Sequence, residues 1–113
     1  MRIEIKGRKV AVSDDLRERV EKRFAKIAKQ VSPLAELEVE LSEDRNPRVA
    51  DSQVAEATLR LKGTSLRATK AAPNMVTAIN GCADDLARQV KKLKAKRSHR
   101  RDAAPQIATD IAL

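Results

Sequence analysis

The stretch from Leu86 to Arg101, LARQVKKLKAKRSHRR, is the most basic in this sequence and the one whose side chains point most directly to a chemistry. Arg88, Lys91, Lys92, Lys94, Lys96, Arg97, Arg100 and Arg101 lie within it, with no Asp or Glu among them. The whole chain of 113 residues has a formal charge of +8, and outside this stretch its acidic and basic side chains balance. The entire excess of positive charge therefore sits in one segment. Such a concentration is the electrostatic footprint of a polyanion partner, most often nucleic acid. Ammonium and guanidinium groups neutralise phosphates and release counterions, which gives salt-sensitive affinity and little sequence information.

Other chemistries find little support. His99 is the only histidine and lies among arginines, where it reads as a solvated side chain rather than a base or ligand. Cys82 is the only cysteine; it allows no intrachain disulfide and reads as a small core residue with no redox or nucleophilic partner. No His/Cys cluster suggests zinc, no glycine-rich loop cradles a phosphate, and no Ser-His-acid set can be assembled. Alternating glutamates at Glu36, Glu38 and Glu40 read as a solvated strand face rather than a metal site. No enzyme, metal, cofactor or small-molecule substrate is expected. There is no apolar run of signal-peptide or membrane-span length, so the expectation is a cytoplasmic protein without a membrane partner.

The elements that must carry the basic side chains follow from periodicity. Residues Arg2 to Lys6 alternate with Ile3 and Ile5 on one face, a half-buried strand. Ser13 reads as a helix N-cap, with Asp14 and Asp15 at the positive end of the helix dipole. Leu16, Val20, Phe24, Ile27 and Val31 then form one apolar stripe, which predicts a helix from about Asp14 to Val31, ended by Pro33. Residues Glu36 to Ser42, Gln53 to Lys62 and Leu66 to Ala71 read as three further strands, the last two joined by a tight turn at Gly63-Thr64. Pro73 is placed at the first turn of a second helix, whose stripe is Met75, Ile79, Cys82, Leu86, Val90 and Leu93. Gly81 costs about 1 kcal/mol in a helix interior, which points to a close approach there. Beyond Leu93 the stripe stops, and a helix charged all round cannot be packing on its own sheet. Its last turns should project as a basic spike.

The fold class is therefore α+β, in the order β-α-β-β-β-α. The first two strands are parallel, and both helices pack on one face of a four-stranded sheet. Residues 1–101 form one domain with a basic C-terminal helix; residues 102–113 read as a disordered tail or the stub of a linker. On the first helix Arg19, Lys22, Arg23, Lys26 and Lys29 share a flank, with Asp14, Glu18 and Glu21 opposite; a solvated helix laced with i,i+4 pairs, Glu18 to Lys22 among them, is the alternative. Together with Arg88, Lys91, Lys92, Lys94, Lys96 and Arg97 they are expected to form an RNA-binding stripe uninterrupted by acid. The single aromatic, Phe24, argues against base stacking, so recognition of backbone and shape is expected. The acidic second strand should repel a polyanion and fix the molecule's orientation on it.

At this point the order of residues resembles a known family. The run IKGRKVAVSDDLRERV from Ile5 to Val20, followed by Arg23, Phe24, Lys26 and Ile27, is similar to the ribosome hibernation-promoting factor and ribosome-associated inhibitor family. So are Arg67-Ala68, Asn74-Met75, Ala78-Ile79, Leu86-Ala87-Arg88-Gln89 and the KKLKAKR run after them. The resemblance implies a fold like a double-stranded RNA-binding domain and binding to the small ribosomal subunit and its RNA, in assembled ribosomes. It places the protein over the decoding channel, where it blocks tRNA and mRNA and silences translation in stress or stationary phase. Carried over by position, the RNA-facing residues are Arg23, Lys26, Arg88, Lys91, Lys92, Lys94 and Lys96. The chain departs from many relatives at Asn74-Met75-Val76, where they have Asp-Met-Tyr, and at Asn80, where they have Asp. Long members carry a second, dimerising domain, so the chain reads either as such a member's N-terminal part or as a short member. Self-association stays open, as do a general structured-RNA-binding module and a protein-binding regulator.

Overall fold

The computed structural model describes residues 1–44, 46 and 48–103, with side chains as far as Lys96. The chain runs β1 (Arg2–Arg8), α1 (Asp14–Ala28), β2 (Glu36–Glu43), β3 (Gln53–Leu61), β4 (Thr64–Ala72) and α2 (Met75–Ala103). The four strands form one sheet in the order β1-β2-β3-β4. β1 and β2 are parallel, as a crossover through α1 requires, and the other neighbours are antiparallel. This is the expected β-α-β-β-β-α order and sheet.

Period-2 patterning sets the faces. Leu37, Val39 and Leu41 of β2 are buried, as are Ala55, Ala57 and Leu59 of β3 and Ala68 and Ala72 of β4. Val20, Phe24 and Ile27 of α1 close over them together with Ile79, Cys82, Leu86 and Val90 of α2. β3 and β4 meet at a two-residue turn, Lys62-Gly63, where Gly63 takes φ +81°, so the turn lies one residue before the expected Gly63-Thr64. A residue with a Cβ adopts that backbone only at a cost.

Both helix starts are capped by side chains. The Ser13 hydroxyl accepts from the Leu16 amide at 3.2 Å, as expected. At α2 the cap is Asn74, whose Oδ1 accepts from the Thr77 amide at 2.8 Å. Pro73 thus lies outside the first turn. Asn74 takes the N-cap because its side chain supplies an acceptor to an orphan amide, which proline has no means to do. At its far end α1 stops at Ala28, short of the expected Val31, because the chain tightens at Lys29 and Gln30. Val31 then packs against the core from the following turn.

α2 seats closely along β4, the edge strand. The facing surfaces are small: Ala68 and Ala72 on the strand, and Ala78, Gly81 and Cys82 on the helix. Two contacts tie them together. The Cys82 thiol donates to the Ala68 carbonyl at 3.4 Å, and Gln89 Nε2 donates to the Arg67 carbonyl at 2.7 Å. Gly81 meets the close approach that its cost foretold, in the stem of Lys70. A Cβ at position 81 would stand 2.7 Å from Lys70 Cγ. Alanine there would gain helix propensity but displace the lysine. Gly81→Ala should therefore be near neutral or destabilising in urea denaturation, whereas in a Lys70→Ser background it should stabilise by about 1 kcal/mol.

Candidate nucleic-acid interface

Each basic side chain is placed by an element whose apolar side is pinned to the core. Arg19, Lys22, Arg23 and Lys26 are exposed on α1, away from the buried Val20, Phe24 and Ile27, and Lys29 is exposed at its C-cap. Arg88, Lys91, Lys92, Lys94 and Lys96 are all exposed on α2, and Leu93 between them is half-buried. The Arg97 side chain, also expected in this set, lies outside the described residues, as does the expected tail from residue 104 on. The α2 backbone is helical through Ala103, two residues past the expected domain end. Val90 is its last fully buried side chain in the core. At 1.5 Å per residue, Lys94 to Ala103 adds about 15 Å of helix beyond the packed part.

The topology brings the two basic faces to one end of the molecule. α1 runs against β2, and α2 runs against β4, which is parallel to β2; the helices therefore point the same way. Their shared end is marked by a groove lined by Gln30 and Val31 after α1, by Val90, Leu93 and Lys94 of α2, and by Arg60, Leu61 and Lys62 at the β3–β4 turn. Lys29, Lys62 and Lys94 thus belong to the same end. Lys62 was missed by the sequence reading, which counted only helix-borne cations. Its signal was the turn itself, because a hairpin after β3 must lie where both helices finish. Cations also suit the end of α1 electrostatically, since that helix places the negative pole of its dipole there.

The charge sorting is less clean than the helical wheel implied. Glu18 pairs with Lys22 at 3.3 Å and lines a shallow cleft with Asp15, Arg19 and Arg23, so acid does interrupt the α1 flank. On α2, Asp85 holds Arg88 at 2.9 Å. Residues four and three apart are offset by only about 40° and 60° around a helix, so Glu18 lies beside Lys22 and Asp85 beside Arg88 on the same face. From Lys91 to Lys96 the described side chains are purely basic or apolar.

The sheet's outer face is also less acidic than expected. Glu38 receives Lys6 from β1 at 2.7 Å and Arg60 from β3 at 3.1 Å, while Arg67 lies 3.7 Å from Glu56. The hydrogen bonds from Lys6 and then Arg60 hold the Glu38 carboxyl below its ordinary 4.5, and Glu38 in turn raises Lys6 above 10.5. Because the folded-state value of Glu38 is depressed, its contribution to stability is present above about pH 4.5 and is lost as pH falls through the folded value. The carboxyl resonance of Glu38 should titrate below 4.5, and Lys6→Ala with Arg60→Ala should move it up. Cys82 is fully buried, and burial pushes its thiol up to about 12, so the nucleophilic form is absent at neutral pH. A thiol reagent at pH 8 should leave Cys82 untouched in the folded protein and modify it fully in denaturant. Among the described residues no group of His, Cys, Asp and Glu is arranged to hold a metal, and no helix is long and apolar enough to cross a membrane.

With this geometry established, comparison with known proteins is specific. Residues 3–98 match the family described as sigma 54 modulation protein / S30EA ribosomal protein. The chain belongs to this family. Curated S30EA-type relatives include the ribosome hibernation promoting factor of Escherichia coli strain K12, 32% identical over 96 residues, which span 85% of this chain and 96% of that one. The ribosome hibernation promotion factor of Picosynechococcus is 33% identical over 97 residues, but the match spans 85% of this chain and only 50% of that protein. Among solved structures, the N-terminal domain of Thermus thermophilus Protein Y superposes with a TM-score of 0.70 at 26% identity, covering 82% of this chain and 99% of that one. A ribosomal subunit interface protein from Coxiella burnetii shares the fold with the same TM-score at 21% identity, covering 84% of this chain and 99% of that one.

Proposed function

We propose that this domain is a ribosome hibernation factor that binds the small ribosomal subunit over the decoding channel. There it blocks tRNA and mRNA and represses translation in stress or stationary phase. The reading rests on family membership together with one observation: two exposed basic helix faces finish at the same end, and one helix continues beyond the sheet. Arg19, Lys22, Arg23, Lys26 and Lys29 on α1 and Arg88, Lys91, Lys92, Lys94, Lys96 and Arg97 on α2 are assigned to ribosomal RNA phosphates. Lys22 and Arg88 already hold carboxylates, so their share is smaller than that of the lysines beyond Leu93.

The physical logic is charge relief. Arg88, Lys92 and Lys96 are spaced four apart on one row of α2, where like charges repel by a few tenths of a kcal/mol per pair. A phosphate backbone along this row turns repulsion into attraction and releases its own counterions. The helix then enters a channel of structured RNA as a rod, with the neutralised sheet face turned away. No aromatic stacks on bases, so affinity comes from backbone contacts and specificity from the shape of the receptor.

Co-sedimentation with ribosomes tests the reading. Binding should compete with tRNA and fall steeply with salt. Lys91, Lys92, Lys94 and Lys96 changed together to Ala should weaken binding and reduce the slope of log affinity against log salt by up to about four. Equal affinity for any long RNA duplex would instead favour a general structured-RNA module. Absence of ribosome association at moderate salt would sink the proposal.

A further inference from the structure

The turn between β1 and α1 carries a cation at a position that favours glycine. Lys9 has φ +61°, and among the described residues the only other positive φ belongs to Gly63. In this left-handed region a Cβ crowds the carbonyl oxygen that follows it, a crowding that glycine lacks. The turn has little freedom to relieve it. A Cβ at Gly7 would collide with the Val10 carbonyl oxygen and stand 2.9 Å from Val12 Cγ2, so the chain doubles back tightly there. Val10 and Val12 are half-buried against the core and pin the far side of the turn. The Lys9 side chain is exposed, as is Arg8 beside it, and neither forms an ion pair among the described residues. The acids nearest to Lys9 in the sequence, Glu4 and Asp14, are five residues away on either side. A strained residue that glycine would fit better points to a use for the side chain itself.

β1 ends and α1 begins at this turn, so Lys9 lies at the opposite end of the molecule from the end where both helices finish. α1 is 15 residues long, which separates the two ends by about 22 Å. Arg19, Arg23 and Lys26 are exposed between them, but Asp15 and Glu18 line the cleft beside Arg19 and Arg23. The start of α1 is therefore mixed in charge, and Lys9 with Arg8 adds cations that hold no carboxylate. We propose that Lys9 is a further nucleic-acid contact, kept in its left-handed turn so that its ammonium meets a backbone phosphate at the β1–α1 end. A lysine ammonium is a compact charge with rotatable donors, which suits a phosphate and reads no sequence. A ligand that touches both ends is an extended polyanion, because neither a free phosphate nor a single nucleotide reaches so far. Contacts at one end alone leave such a polyanion free to swivel; a second contact at Lys9 fixes its course along α1. This inference rests on the reading of the partner as RNA.

The test compares Lys9→Gly, Lys9→Gln and Lys9→Arg in the full chain, by urea denaturation and by co-sedimentation with ribosomes over a range of salt. Lys9→Gly relieves the backbone and removes the charge. It should raise the urea midpoint, yet weaken ribosome binding several-fold and lower the slope of log affinity against log salt by about one. Lys9→Gln keeps a Cβ and loses the charge, so it should bind as weakly as Lys9→Gly at the urea midpoint of the unaltered chain. Lys9→Arg should retain both midpoint and slope. A Lys9→Gly variant that binds with unchanged affinity and slope would overturn the proposal, as would a loss of binding in Lys9→Arg equal to that in Lys9→Gln. If the unaltered chain fails to sediment with ribosomes but binds a long RNA duplex, the ribosomal reading falls and the same variants on the duplex decide the role of Lys9. Binding to neither RNA overturns both.

Discussion

The close seating of α2 on β4 is the contact on which the rest of the molecule depends. It exists because the side chains between them are small, Ala68 and Ala72 on the strand and Ala78 and Cys82 on the helix, with Gly81 leaving room for the stem of Lys70. Larger side chains on either side would push the helix away from the sheet and open its bonds to the strand. The Cys82 thiol and the Gln89 amide then fix the helix along the strand, through carbonyls of Ala68 and Arg67. With the axis of α2 fixed in this way, the direction of everything beyond Leu93 is fixed too. A helix that leaves its sheet keeps its heading, so the packed half aims the unpacked half.

The sheet contributes a second constraint, through charge. Its outer face carries glutamates at the centre and cations on the flanking strands, and cross-strand pairs cancel much of the field. Such exposed pairs add little to stability. Their effect is on the long-range potential, which they leave to the helix end. Lys91, Lys92, Lys94 and Lys96 have no acidic neighbour in sequence, and the helix dipole leaves its negative pole beyond them. A polyanion approaching within about a Debye length, roughly 8 Å at physiological salt, meets one dominant positive end.

Two chemistries therefore meet at the same place. The C-terminal end of both helices is cationic on its outer surface and aliphatic in the groove between them. These properties have a common origin in the helical period: the same rotation that exposes Lys91, Lys92 and Lys94 turns Val90 and Leu93 inward. α1 contributes Val31 from the turn after its last residue, and the β3–β4 turn contributes Leu61 and Lys62.

The sequence alone determined the elements and their faces, because burial imposes a period of two on strands and 3.6 on helices. It determined the strand order, since a right-handed crossover through α1 followed by a meander leaves few alternatives. It also marked the basic end of α2, where the apolar stripe stops at Leu93, and Gly81 as a close approach. The tertiary structure decided what depends on side chains from distant segments. The second strand read as acidic, yet Lys6 and Arg60 arrive from its neighbours in the sheet. The start of the second helix, by contrast, is a local matter: Asn74 rather than Pro73 marks it, because the Asn74 side chain accepts from the Thr77 amide. The groove was invisible in one dimension. Its walls are far apart in the chain, and only the register of β3 with β4 and the parallel course of the helices brings them together.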